Sequence, residues 1–174
     1  SHGWISRVAR SALAIPGISE ISLERLNDTD VKQFEALRDE LEGQAIFFLS
    51  GQGRLPNREL VKIQQIKHIL QELDKRAMQL GREPSIDVMG YSSPVGSQST
   101  NILLSKMRAQ KVLEILSESP LQVLKLLAIG KGVDPDVQSF AGEGEGYSTS
   151  RRVSFKVVES GITQTREVGA RIGW

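Results

Sequence analysis

Hydrophobic and polar positions along this 174-residue chain switch between two periods, and the switches place its elements. From Ile86 to Met89 the pattern is β-branched and alternating. It breaks at Gly90, passes through a Ser/Pro/Gly loop, and resumes with a helical period carrying Asn101, Leu104, Ser105, Arg108, Ala109 and Val112. This reads as a strand, a loop and a helix, with the loop able to hold a ligand. Positions 101, 105, 108 and 112 share one helical stripe, so Asn101, Ser105 and Arg108 face back toward the loop. A guanidinium placed there asks for an anionic partner.

Trp4 to Ile15 reads as a short amphipathic helix stopped by Pro16-Gly17, and Ile18 to Leu26 alternates as a half-buried strand. Asn27 to Asp30 reads as the cap of a second helix, with Asp30 and Gln33 at capping-box spacing and Val31, Phe34, Leu37 and Leu41 on its apolar face. Gly43 ends that helix. Gln44 to Ser50 suits a buried strand, and Asn57 to Leu80 a long helix with an apolar side, a solvated polar side and Gly81 as C-cap. Further strands are expected within Leu121 to Ile129 and over Arg151 to Val158, where Val153, Phe155 and Val157 share a face. Gly130 to Ser150 is weakly patterned and reads as flexible loop. Residues 159–174 read as a tail.

Charge and composition narrow the function classes. A net charge of +1 gives no electrostatic footprint for nucleic acid and no polybasic membrane patch. Cysteine is absent, which removes disulfides, thiolate nucleophiles and cysteine zinc sites. No run reaches the roughly 18 apolar residues of a transmembrane helix, so direct membrane insertion is not expected. The opening Ser1-His2-Gly3 reads as a tag remnant on a piece of a larger protein, with any targeting signal upstream.

Catalysis is not expected either. The two histidines are His2 and a lone mid-helix His68, so neither a Ser/His/Asp constellation nor a metal site can be assembled. Gly130-Lys131-Gly132 lacks the hydroxyl residue that follows a phosphate-loop lysine, and Gly142 to Gly146 sets carboxylates where a phosphate would lie. No catalytic residue, metal or cofactor is therefore assigned. Arg151 and Arg152 open the last strand, where arginine commonly guards an edge from pairing. Tyr91 fits a pocket wall or a core position.

Two ordered motifs carry a family resemblance. Asn101, Leu104, Ser105, Arg108, Ala109 and Val112, preceded by Gly90, Ser92, Ser93 and Gly96, resemble the signature of the OmpA-like peptidoglycan-binding domains, which include peptidoglycan-associated lipoproteins and flagellar stator proteins. Gly130, Gly132, Pro135 and Ser150-Arg151-Arg152-Val153 resemble a second feature of the same domains, and the likeness spans about Gln44 to Val158. Ala14 to Ile21 resembles the closing half of a BON domain, a small envelope module.

The resemblance implies an α/β (α+β) two-layer sandwich of βαβαββ type, a mixed sheet with helices on one face. Residues 44–158 would form the OmpA-like domain, residues 1–43 an N-terminal αβα extension and residues 159–174 a tail. It also implies a non-catalytic, periplasmic or cell-envelope role in binding the diaminopimelate stem peptide of peptidoglycan, through Arg108, Asn101, Tyr91, Ser92, Ser93, Ser105 and Arg151. In the family an Asp at the Ser93 position takes the ligand's ammonium while the helix Arg takes its carboxylate. A neutral Ser93 leaves out the charge-assisted half of that grip. Weak peptidoglycan binding and a scaffold that contacts other proteins, or other domains of the parent protein, are the two functions open at this point.

Overall fold

The computed structural model describes residues 20–49, 54–136 and 150–159, with side chains from residue 28 onward. Its elements run α1 (Glu20–Glu42), β1 (Ala45–Phe47), α2 (Asn57–Gln79), β2 (Ser85–Ser92), α3 (Gln98–Leu116), β3 (Lys125–Val133) and β4 (Arg152–Val158). The four strands form one sheet in the order β1-β4-β2-β3. β2 and β3 are parallel, while β4 runs antiparallel to both β1 and β2.

Register puts the buried side of every strand on one face. Ile46 pairs with Val153, Val153 with Gly90, Phe155 with Val88 and Val157 with Ile86. Apart from Gly90, these residues form one core with Phe34 and Leu41 of α1, Ile63, Ile66, Leu70 and Leu73 of α2, and Ala109, Val112 and Leu116 of α3. Fully burying such a side chain contributes about 1.5–3 kcal/mol, so this single layer of contacts dominates the fold's stability. The two-layer sandwich with helices on one face is the architecture that the sequence resemblance implies.

The N-terminal region departs from expectation. From Glu20 onward the expected strand Ile18 to Leu26 is helical, and Asn27 to Asp30 lies inside α1 instead of capping it. A nine-residue alternation is too short to exclude a helix when Glu, Leu and Arg, all strong helix formers, fill it and no Gly or Pro interrupts residues 20–42. The αβα extension is thus corrected to a helix over these residues, and α1 buries Phe34 and Leu41 in the core. The expected helix Trp4 to Ile15 and the BON-like segment up to Ser19 lie outside the described residues, as do Gly142 to Gly146 and the tail beyond residue 159.

Three further corrections concern glycine and charge. β2 continues through Gly90 to Ser92, and Gly130 and Gly132 lie within β3, where a flexible loop was expected. β4 is paired on both sides, so Arg151 and Arg152 do not guard an edge. The polar side of α2 is not wholly solvated, because Glu59 and Asp74 are buried. Asp74 accepts hydrogen bonds from the backbone N–H groups of Gln122, Val123 and Leu124, each at 2.9 Å, fixing the entry to β3. Gly81 closes α2 as expected: at φ 67 it lets Arg82 N–H reach Ala77 O and its own N–H reach Met78 O.

Candidate functional site

Arg108 is the largest fully buried side chain among the described residues, at 1% exposure. Its place on the third turn of α3 carries the guanidinium under the carboxyl end of β2, where Nη1 donates to Tyr91 O at 3.0 Å. The Phe48 ring lies beneath it, with the guanidinium carbon 5.8 Å from the ring centroid. Burial, and secondarily the nearby Arg151 cation, lower the Arg108 pKa to about 10. It still carries its charge at neutral pH.

Arg151 is held to the same aromatic residue. Arg151 Nε donates to Phe48 O at 3.2 Å, and Phe48 N–H donates to Arg151 O at 2.8 Å. Two guanidinium groups therefore meet Phe48, Arg108 at its ring and Arg151 at its carbonyl. Beside them a cleft of about 420 Å³ opens between the end of β1 and the start of α2, lined by Phe47, Phe48, Leu49, Arg58, Lys62 and Arg151 among others. Three of those six side chains are aromatic or aliphatic and three are cationic, an arrangement suited to an anionic group on a partly apolar ligand.

The loop that follows β2 is built by its own short-range bonds. Ser97 Oγ caps α3 by accepting from Thr100 N–H at 3.2 Å. Gly96 takes φ 95, and a Cβ there would lie 3.9 Å from Asn101 Oδ1, so buried Asn101 sits against the turn. Ser92 is fully buried, and its Oγ has no hydrogen-bond partner among the described residues. Ser93 follows at the strand's end, partly buried.

Not every residue of the expected ligand set converges on Arg108. Ser105 is fully buried, and its hydroxyl is engaged by the fold, donating to Ile102 O at 2.8 Å and accepting from Gly132 N–H at 2.9 Å. Tyr91 gives Arg108 its carbonyl, while its ring lies on the other face of the sheet over Arg152, 4.3 Å from the guanidinium carbon. Arg152 in turn bonds Asp134. Burial alone would raise the Asp134 carboxyl, but hydrogen bonds from Arg152 and the Asp136 N–H outweigh it and hold the group below its usual value.

Several participants escape sequence reasoning. Phe48 reads only as strand core, yet it contacts both arginines, Arg108 through its ring and Arg151 through its carbonyl. Glu59 and Lys62 read as solvated helix surface; their i, i+3 spacing is the one signal, and here it makes an ion pair at 3.0 Å beside the cleft. Among the described residues no group of His, Asp and Glu side chains is placed to hold a metal ion, and no helix is long and apolar enough to cross a membrane.

Neither a protein-family model nor a characterised protein sequence matches this chain. Solved structures do. The peptidoglycan-associated lipoprotein of Burkholderia pseudomallei superposes with a TM-score of 0.50 at 21% identity, over 66% of this chain and 89% of its own. The periplasmic domain of Helicobacter pylori MotB, residues 78–256, gives 0.51 at 17% identity over 71% of this chain and 77% of its own. The C-terminal domain of the same protein gives 0.51 at 17%, over 71% of this chain and 90% of its own. With the strand order, the helices on one face and the α3 stripe in place, the described residues share the fold of these domains, the OmpA-like fold that the sequence resemblance implies.

Proposed function

We propose that this domain is a non-catalytic module of the cell envelope, working in the periplasm, that holds peptidoglycan by a carboxylate of the diaminopimelate stem peptide. The observation that carries this reading is the buried Arg108 guanidinium, set with Arg151 around Phe48 at one end of the sheet. Burying a cation is costly, and a charge-assisted bond to a ligand carboxylate offsets that cost. The fold shared with a peptidoglycan-associated lipoprotein and the MotB periplasmic domains supports the same reading.

In this reading Arg108 and Arg151 receive the carboxylate, Ser92 and Ser93 offer neutral hydroxyls, and Asn101 holds the loop. Ser105 and the Tyr91 ring act through the fold. Without an acid at position 93 the ligand's ammonium gains no ionic bond, which weakens binding by about 1.5–3 kcal/mol. Calorimetric titration with a diaminopimelate muropeptide tests it: the parent chain binds weakly, and Arg108→Gln, with an unchanged circular dichroism spectrum, does not bind. Absence of heat with both the parent and Ser93→Asp would overturn the proposal. The scaffold reading is favoured by a different feature, the apolar residues Ile102, Leu103, Met107 and Leu127, each about half exposed along one edge of the domain.

A further inference from the structure

The two edges of the sheet are finished differently. At the β1 edge, alternation turns the backbone groups of Ala45 and Phe47 outward, since Phe48 N–H points inward to Arg151 O. Side chains of α2 occupy both outward positions: Glu59 Oε1 accepts from Phe47 N–H at 3.0 Å, and Lys62 Nζ donates to Ala45 O at 2.6 Å. That edge is closed to another strand.

The β3 edge is open by comparison. Lys125 N–H points to β2 through its bond to Pro84 O, so the groups of Leu126, Ala128 and Gly130 point outward. Among them Ala128 O receives Lys106 Nζ at 2.8 Å. A groove of about 610 Å³ follows this edge, bounded by Ile102, Leu103 and Lys106 of α3 and by Leu127, Ile129 and Gly130 of β3. Leu103 is 62% exposed and Leu127 56%.

From these features we infer that the β3 edge docks an extended segment of a partner protein, which adds as a strand and lays alternate apolar side chains into the groove. Charge selects the segment. Lys125 and Lys131 are both exposed on β3, six residues apart, with Lys106 on the groove's other wall. A partner strand carrying carboxylates six residues apart, with apolar residues alternating between them, matches that spacing and finds outward backbone groups at Leu126 and Gly130 and the N–H of Ala128, while Lys106 keeps the Ala128 carbonyl. A second copy of this chain fits less well. Pairing β3 with itself antiparallel about Ala128 sets each Lys125 against the other copy's Lys131, and like charges directly opposite are destabilising.

The test is an amide-resolved NMR titration of the full chain with the blocked peptide acetyl-Glu-Val-Thr-Val-Thr-Val-Glu-amide. Shifts are expected along residues 125–131 and at Ile102, Leu103 and Lys106, and not at Arg108 or Phe48. A peptide with Lys at both ends should bind at least tenfold more weakly, and N-methylation of the alternate amides that face β3 should abolish binding. In the surface variant Lys125→Glu/Lys131→Glu, with an unchanged spectrum away from β3, the preference between the two peptides should invert. Equal binding of both peptides, undiminished binding of the N-methylated one, or a dimer in sedimentation that Leu127→Glu dissolves would each overturn the inference.

Discussion

Gly90 and Gly130 are register partners in the parallel pairing of β2 with β3, and α3 crosses over both so closely that neither has room for a side chain. A Cβ on Gly90 would lie 1.9 Å from Ser105 O, and one on Gly130 would lie 2.8 Å from Ile102 O and from Lys106 N. This approach brings Ser105 Oγ to Gly132 N–H and sets Arg108 at the end of the sheet. The glycine pair is what lets the helix deliver its arginine.

Gly90→Ala is therefore expected to lose more than the roughly 1–3 kcal/mol typical of overpacking, because the clash is with helix backbone and no side chain can turn aside. Gly130→Ala, on an edge strand freer to move, should fall within that range. Urea denaturation of both variants checks the order. A Gly90→Ala protein of undiminished stability would show that α3 does not sit this close.

Asp74 offers a second stability test. Its carboxylate satisfies three backbone N–H groups before β3, in a site only 6% exposed. Asp74→Ala leaves those donors without their acceptor and should cost about 3 kcal/mol or more. Asp74→Asn keeps one acceptor oxygen and should cost roughly half as much. Equal losses in the two variants would mean that the carboxylate's second oxygen contributes nothing.

These two residues show why the sequence was legible in places and opaque in others. The α3 stripe of Asn101, Ser105 and Arg108 was readable from spacing, since burial of all three follows from one helical period. Their separate tasks were not, because Ser105's partner, Gly132, is 27 residues away. Asp74 and Glu59 were hidden for the same reason: a charge on a helix is assigned to water until a distant backbone is known to turn toward it. The alternation at residues 18–26 misled because strand and helix patterns overlap over so short a run. Gly90 and Gly130 read as breaks, since a helix pressed against a strand requires glycine as surely as a turn does.

The Glu59–Lys62 pair should matter more for solubility than its ion pairing suggests. Lys62→Ala and Glu59→Ala each expose an outward backbone group of β1. A stability loss of about 1–2 kcal/mol is expected from the unmade hydrogen bonds, larger for buried Glu59. Light scattering should also show faster aggregation than in Lys67→Ala, which removes a surface pair with Glu118 at 2.9 Å and leaves the sheet edge untouched. Equal aggregation in the three variants would remove the edge-closing role.

Acid stability should report on Asp134. Its folded-state pKa is depressed, so its contribution is fully present above the unfolded carboxyl value near 3.9 and is lost as pH falls through the lower folded value. Asp134→Asn should therefore melt below the parent at pH 6, with the difference shrinking toward pH 2. A difference that grew on acidification would contradict the sign, and with it the Arg152 bond as its cause.

Position 93 gives the sharpest test of the ligand grip. Ser93 stands partly buried at the end of β2, directly after fully buried Ser92 and two residues beyond the carbonyl that receives Arg108. Ser93→Asp would set a carboxylate there, able to meet the ammonium of a zwitterionic stem peptide whose carboxylate is held by Arg108. The charge-assisted increment of about 1.5–3 kcal/mol corresponds to a gain of roughly ten- to a hundredfold in affinity. The gain should require both ends of the ligand, so a peptide with its terminal amine acetylated should bind the parent and Ser93→Asp alike. It should also fade as pH drops through the new carboxyl's range, whereas the parent's weak binding persists until the ligand carboxylate itself protonates. If Ser93→Asp improves binding of the acetylated peptide equally, the new acid acts through loop geometry and not through an ionic bond.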